Sequence, residues 1–219
     1  MEHNVTSSYS SFERRQLFLA KQNLPTPALF LDRDGVLIED TNYIANPADV
    51  VLCKGVFEIL KAAKRINLPV VIVTNQSGIF RKLYSWEDYV LVTNRMLNLL
   101  GDGVPIAAIY ANSHGPHSPI NTWRKPSPSM LLAAAFDLNL DLNNSLLIGD
   151  RLSDLQAGAS AGLKSLCHVL STHGINERVQ IANWITEYQI KSCIPANPKL
   201  LLLSSLLDFP LNLLPGSCE

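Results

Sequence analysis

The sequence predicts an α/β fold: a parallel β-sheet with helices on both faces. Three observations point there. Short apolar runs of strand length alternate along the chain with stretches of helical spacing, the pattern of β-α-β units. The runs are apolar without alternation, as in strands buried on both faces. Each of three runs ends in polar residues suited to chemistry, Asp32 and Asp34, Thr74 and Asn75, and Asp150. In a parallel sheet such residues collect at one edge, at the carboxyl ends of the strands.

The chain has 219 residues, 47% of them hydrophobic and 17% charged, enough for a sizeable core in one domain with extensions. A net charge of −1 offers no basic field, so a nucleic-acid partner is not expected. The four cysteines (Cys53, Cys167, Cys193, Cys218) are scattered and form no C-x-x-C pair. The amino terminus lacks a signal-type apolar core, and the Leu200–Leu214 stretch is interrupted by Ser204, Ser205, Asp208 and Pro210. A soluble, cytoplasmic protein without a membrane partner is expected, a monomer rather than an oligomer.

Three segments are expected: residues 1–24 as an N-terminal extension, 25–190 as the domain, and 191–219 as a closing helix and tail packed on it. The extension is expected to carry a short helix around Phe12 to Lys21 and to serve as a packing arm. Ala28–Leu31 reads as the first strand, bounded by Pro27 and Gly35. An irregular loop over Val36 to Val50 follows. Gly55 to Ile66 has helical spacing, with Val56, Ile59, Leu60 and Ala63 on one face and Lys61, Lys64 and Arg65 opposite. Val70–Val73 is the second strand. Ser85 to Leu100 is a helix with Ser85 and Asp88 as a capping box and Gly101 as its stop. Ile106–Tyr110 is the third strand, Ala111–Trp123 a loop, and Pro128–Leu138 a helix. Ser145–Ile148 is a fourth strand, Asp154–Ala161 a short helix, and Lys164–Leu170 a fifth strand. A last strand is expected at Asn183–Ile185 and the closing helix at Pro198–Leu207. Cys53 and Cys167 are expected to be buried small hydrophobes, and His168 structural.

The stretch Asp32-Arg33-Asp34-Gly35 carries the chemistry. Side chains at i and i+2 of an extended chain point to one side, so the two carboxylates can converge. They repel unless a proton or a cation stands between them, and a hard divalent cation, Mg²⁺, suits an all-oxygen site. With Thr74, Lys125 and Asp150 the edge holds carboxylates for a metal and donors for a phosphate, the charge balance of phosphoryl transfer. No G-x-x-x-x-G-K-[ST] loop occurs, which disfavours a nucleotide kinase.

These motifs stand as Asp32-Arg33-Asp34-Gly35, Thr74-Asn75, Lys125 and Gly149-Asp150-Arg151-Leu152-Ser153-Asp154, over about Ala28 to Leu170. In that order they resemble the haloacid dehalogenase (HAD) superfamily of phosphohydrolases. Val73-Thr74-Asn75-Gln76-Ser77-Gly78-Ile79 and Arg124-Lys125-Pro126 further resemble its D-glycero-D-manno-heptose bisphosphate phosphatase and histidinol phosphatase branch. The resemblance implies a Rossmann-like, HAD-like fold with little or no cap domain. The short gaps between motifs agree with that. It implies Asp32 as nucleophile, Asp34 as general acid and base, and Thr74 and Lys125 as ligands of the transferring phosphoryl group. It implies Mg²⁺ held by Asp32, the Asp34 carbonyl and Asp150, with Asp154 behind them. Substrate contacts would come from Asn75, Gln76, Ser77, Arg124 and Arg151, with Arg151 standing where the branch often has lysine. Selection would rest on the loops Glu39–Tyr43, Ile79–Tyr84 and Ala111–Trp123.

One departure concerns zinc. The branch often holds one in the loop before Arg-Lys-Pro through three cysteines and a histidine. Here Ala111 and Asn121-Thr122-Trp123 replace the cysteines and only His114 and His117 remain, so zinc is not expected. The implied activity is a Mg²⁺-dependent phosphatase of a small phosphorylated metabolite, a sugar phosphate of heptose type. Histidinol phosphatase is the alternative. A catalytically silent binding domain is the alternative of another class, and the intact motif set argues against it.

Overall fold

The computed structural model of the chain describes residues 6–119, 121–171, 174–191 and 198–217. Eight strands are described: β1 (Thr6–Tyr9), β2 (Glu13–Leu17), β3 (Leu29–Leu31), β4 (Val70–Asn75), β5 (Ile106–Asn112), β6 (Leu146–Gly149), β7 (Ser165–Val169) and β8 (Lys199–Leu203). They form one sheet in the order β1-β2-β5-β4-β3-β6-β7-β8. From β5 to β8 every pairing is parallel, and only β1–β2 and β2–β5 are antiparallel.

Among the described residues six α-helices accompany the sheet: α1 (Val56–Arg65), α2 (Ser77–Phe80), α3 (Trp86–Leu100), α4 (Ser129–Leu138), α5 (Leu152–Ser160) and α6 (Arg178–Lys191). Strand alternation divides the core between the two faces. Leu29, Leu31, Val70, Ile72 and Ile148 pack with Val56, Ile59 and Leu60 of α1 and Val92 and Met96 of α3. Phe30, Val71, Val73 and Leu147 pack with Met130, Leu131 and Ala134 of α4, Leu155 of α5 and Ile181 of α6. β3 lies centrally, with β4 on one side and β6 on the other, so the chain reverses its direction of winding there. The crevice beyond its carboxyl end is where a ligand site belongs. Between β3 and β4 lie one loop, one 3₁₀ turn and α1, and between β4 and β5 only α2 and α3, which leaves no inserted cap domain. Among the described residues no helix is long and apolar enough to cross a membrane.

Three expectations are corrected. Phe12–Lys21 forms no helix. Glu, Arg, Gln and Leu favour one, but the open edge of β5 recruits Glu13–Leu17 as an antiparallel strand, with Glu13 opposite Asn112. Asn183–Ile185 lies inside α6, because Ile181, Trp184, Ile185 and Tyr188 recur at helical spacing and Ile181 is buried against the sheet. Pro198–Leu207 is not a helix. Leu200–Leu203 lie in β8 on the open edge of β7, with Leu201 opposite Cys167, and Leu206 and Leu207 follow in a 3₁₀ turn after Ser204 and Ser205. Cys193, within 192–197, and Cys218 lie outside the described residues.

Candidate active site

β3 ends at Leu31, and its continuation delivers Asp32. The Arg33 backbone N–H donates to Asp32 Oδ1 at 2.8 Å. β4 delivers Thr74 and Asn75, β6 delivers Asp150 just past its end, and α5 begins directly afterwards. Asp154, in the first turn of α5, turns Oδ2 back to the Arg151 N–H at 2.9 Å and caps the helix. Gly149 makes this approach possible, because a Cβ there would stand 2.3 Å from that of Asp154. Gly35 has φ +83°, and a Cβ on it would fall 2.5 Å from Asp150 Oδ2, so the turn after Asp34 needs glycine twice over.

Lys125 is buried at the centre. Its Nζ is 2.9 Å from Asp32 Oδ1, 2.6 Å from Asp154 Oδ1 and 2.9 Å from the Val73 carbonyl. Burial alone would push the ammonium down, but Asp154 and Asp32 outweigh it and hold the lysine above the ordinary amine range. The carboxylates of Asp32, Asp150 and Asp154 bring oxygens within 4.8 Å of one another. Burial, opposed by Lys125 and reinforced by Asp154 and Asp34, pushes Asp32 up to about 7. Burial together with Asp32 and Asp154 pushes Asp150 up to about 8. Asp150 Oδ2 accepts from Ser171 Oγ, while buried Oδ1 has no hydrogen-bond partner among the described residues. An orphaned carboxylate oxygen beside a second carboxylate fits a hard divalent cation. Asp154 Oδ1 is ion-paired with Lys125 and its Oδ2 caps the helix, which leaves it less to offer a cation than Asp150 has.

The carboxylate of Asp34 turns away from this triad. Arg33 grips it in a fork, Nη2 to Oδ1 at 3.0 Å and Nε to Oδ2 at 3.2 Å. Gln76 Nε2 donates to Oδ2 at 2.9 Å, and Thr74 Oγ1 stands 3.4 Å away. Arg33 is itself buried, donates to Thr93 Oγ1 and Gln76 Oε1, and lies over the ring of Tyr89. Tyr84 donates to the same Gln76 oxygen at 2.7 Å.

Asn75 lines the cleft with its side chain turned to the Lys125 main chain. Its Oδ1 accepts the Lys125 N–H at 3.0 Å and its Nδ2 donates to the Lys125 carbonyl at 3.2 Å, while buried Asn112 donates to the same Oδ1. Gln76, Ser77, Arg124 and Arg151 line the same cleft of about 480 Å³ together with Asn75, Asp32, Asp34 and Lys125. Arg151 is tethered there by acids: Glu177 at 3.3 Å, Asp40 at 3.5 Å and Asp150 at 3.6 Å. Arg124 Nη1 donates to the His114 carbonyl at 2.9 Å. Asp40, Asn42 and Tyr43 of the first expected loop line the cleft, and so does Tyr84 of the second, but no described residue of 111–123 does. Trp123 packs instead on Tyr110, ring centroids 5.4 Å apart. His168 Nε2 pairs with the Asp150 carbonyl at 2.8 Å, and burial lowers its pKa, so it braces the end of β6. Burial pushes both Cys53 and Cys167 up to about 12.

Sequence reasoning gave no role to Arg33, to Glu177 and Gln180 on the cleft wall, or to Asn112 behind Asn75. Arg33 was legible in principle, since an arginine held between two aspartates at a strand end has little choice but to pair with one of them.

A HAD-hydrolase-like family model matches residues 122–192. A D-glycero-beta-D-manno-heptose-1,7-bisphosphate 7-phosphatase of Mesorhizobium japonicum is 44% identical over 63% of this chain and 66% of its own length. A D-glycero-alpha-D-manno-heptose-1,7-bisphosphate 7-phosphatase of Burkholderia mallei is 41% identical over 62% of this chain and 76% of its own length. The solved structure of a D,D-heptose 1,7-bisphosphate phosphatase of B. bronchiseptica, complexed with magnesium and phosphate, superimposes with a TM-score of 0.68 at 27% identity, covering 83% of this chain and 94% of that one.

Proposed function

The chain belongs to the haloacid dehalogenase-like hydrolases, as a phosphoric monoester hydrolase, and on that premise we propose that it is a Mg²⁺-dependent phosphatase of a sugar phosphate, D-glycero-D-manno-heptose 1,7-bisphosphate or a close analogue. The observation that carries the proposal is the junction of Asp32, Lys125 and Asp150 at the end of β3. It joins a nucleophile, a fixed cation and an unsatisfied metal-ligand oxygen in one cleft.

Asp32 spends Oδ1 on Lys125 and the Arg33 N–H, which aims the other oxygen. That oxygen attacks phosphorus and the P–O bond to the sugar breaks, giving an aspartyl phosphate. Asp34 protonates the departing oxygen, and in the second step takes a proton from the water that attacks phosphorus and frees Asp32 and inorganic phosphate. Asp32, the Asp34 carbonyl and Asp150 would hold Mg²⁺, which would offset the charge of the phosphoryl oxygens. Lys125 and Thr74 would bind those oxygens, and Asp154 and Asn75 would hold Lys125 in place. Gln76, Ser77, Arg124 and Arg151 would meet the rest of the substrate. The relatives' substrate supports the heptose assignment. Histidinol phosphate is the second reading, in which a cationic amine would share Asp40 and Glu177 at the cleft wall with Arg151.

The test is phosphate release from a panel of sugar mono- and bisphosphates, histidinol phosphate and p-nitrophenyl phosphate, with Mg²⁺ and with EDTA. Release with Mg²⁺, abolished by EDTA and in Asp32→Asn, is the expected result. No release from the folded protein would favour the silent binding domain.

A further inference from the structure

Arg124 lines the cleft, while no described residue of the 111–123 segment before it does. The N-terminal hairpin contacts that segment at both ends. Glu13 opens β2 opposite Asn112, the last residue of β5. Its Oε1 accepts the backbone N–H of Trp123 at 3.1 Å and lies 3.1 Å from His114 Nε2. One carboxylate oxygen thus ties the beginning of the 114–123 excursion to its end. Phe12 adds to the hold: its ring stacks on His114 at 4.9 Å, and its carbonyl accepts the Ser113 N–H at 2.7 Å. On the other side of His114, the backbone carbonyl accepts Arg124 Nη1 at 2.9 Å. The contacts run unbroken from Glu13 through His114 to the arginine. Loop closure by a partly buried carboxylate removes the freedom that a ten-residue excursion otherwise keeps.

We propose that Glu13 is a positioning residue for substrate recognition: by clamping His114 and Trp123 it sets the place of Arg124 in the cleft. The inference rests on the phosphatase reading, since Arg124 matters only if a phosphorylated substrate extends beyond the group being transferred. p-Nitrophenyl phosphate carries no second phosphate and no hydroxyls, whereas heptose 1,7-bisphosphate has both.

The experiment compares full-length wild type, Glu13→Ala, Glu13→Gln, Arg124→Ala and the Glu13→Ala/Arg124→Ala double variant. Expected for Glu13→Ala is a rise of about tenfold to a hundredfold in KM for heptose 1,7-bisphosphate with little change in kcat, and unchanged turnover of p-nitrophenyl phosphate. Glu13→Gln, which keeps an acceptor for Trp123, recovers most of the loss. The double variant is no worse than Arg124→Ala on the bisphosphate, because both changes remove one interaction. Amide exchange across 113–124 accelerates in Glu13→Ala, and phenylglyoxal modifies Arg124 faster. Equal losses on both esters, additive effects in the double variant, or unchanged exchange and modification rates would overturn the proposal. A wild-type chain that hydrolyses neither ester would refute the phosphatase reading alone, and exchange and Arg124 modification would then decide the clamp by themselves.

Discussion

Asn75 holds Lys125 by both of its backbone polar groups, accepting its N–H at 3.0 Å and donating to its carbonyl at 3.2 Å. The lysine that reaches Asp32 therefore has its main chain fixed by the end of the neighbouring strand. Asn75→Ala removes both bonds and also leaves Asn112 without that acceptor. Each such bond is worth about 1 kcal/mol net, and unsatisfied buried partners cost more. We expect a loss of about 2 kcal/mol in urea unfolding and a fall of about a hundredfold in kcat, with Asn75→Asp intermediate, because a carboxylate still accepts from the Lys125 N–H and Asn112 but cannot donate to the Lys125 carbonyl.

Asp34 and Arg33 form a pair whose loss should be read in two ways. Arg33→Met leaves Asp34 without its guanidinium, and we expect a destabilisation of about 3 kcal/mol, the lower end for broken buried pairs because Asp34 is 22% exposed. Arg33→Lys should fall between, since an ammonium cannot span both oxygens. Where the folded variants turn over, the loss should be larger with an alkyl phosphate than with p-nitrophenyl phosphate. The aryl leaving group needs less protonation.

The pH dependence of stability follows from the buried acids. Asp32 is pushed up to about 7 and Asp150 to about 8, from 3.8 in the unfolded chain. Between those limits the metal-free native state holds protons that the unfolded chain has released. Its stability therefore falls as pH rises through that window. A cation held by the same carboxylates replaces those protons. Mg²⁺ should raise Tm more at about pH 8 than at about pH 6, and its binding should release protons measurable in weakly buffered solution. A Tm increment independent of pH would place the ion elsewhere.

Gly35→Ala tests the turn. Its φ of +83° disfavours any side chain, and the added methyl would press on Asp150 Oδ2. The backbone conformation costs about 1–2 kcal/mol. Displacement of Asp150 should also lower apparent Mg²⁺ affinity by about tenfold or more, seen in the metal concentration needed for half-maximal activity.

The strands that carry the site were legible because each is a short buried run with a polar end. Ala28–Leu31, Val70–Val73 and Ser145–Ile148 were placed within a residue or two, and with them Asp32, Thr74 and Asp150 at one edge. Ser85 and Asp88 cap α3 as their spacing required, at 3.2 and 2.8 Å. The chain ends were less legible. Glu13–Leu17 and Leu200–Leu203 have little intrinsic preference for a strand, and each takes its conformation from the open strand beside it. Roles that depend on where a side chain turns were also hidden. Asn75 stands beside Thr74 in sequence but faces Lys125, and Glu13 lies a hundred residues from the loop it holds.

The covalent role of Asp32 is the central claim, and acid quenching tests it most directly. Enzyme mixed with heptose 1,7-bisphosphate and Mg²⁺ is stopped in acid within the first turnover, digested and weighed by mass spectrometry. The account predicts one added phosphoryl group on the peptide that contains Asp32, accumulating further in Asp34→Asn and absent from Asp32→Asn. A phosphoryl group on another residue, or rapid phosphate release by Asp32→Asn, would contradict it.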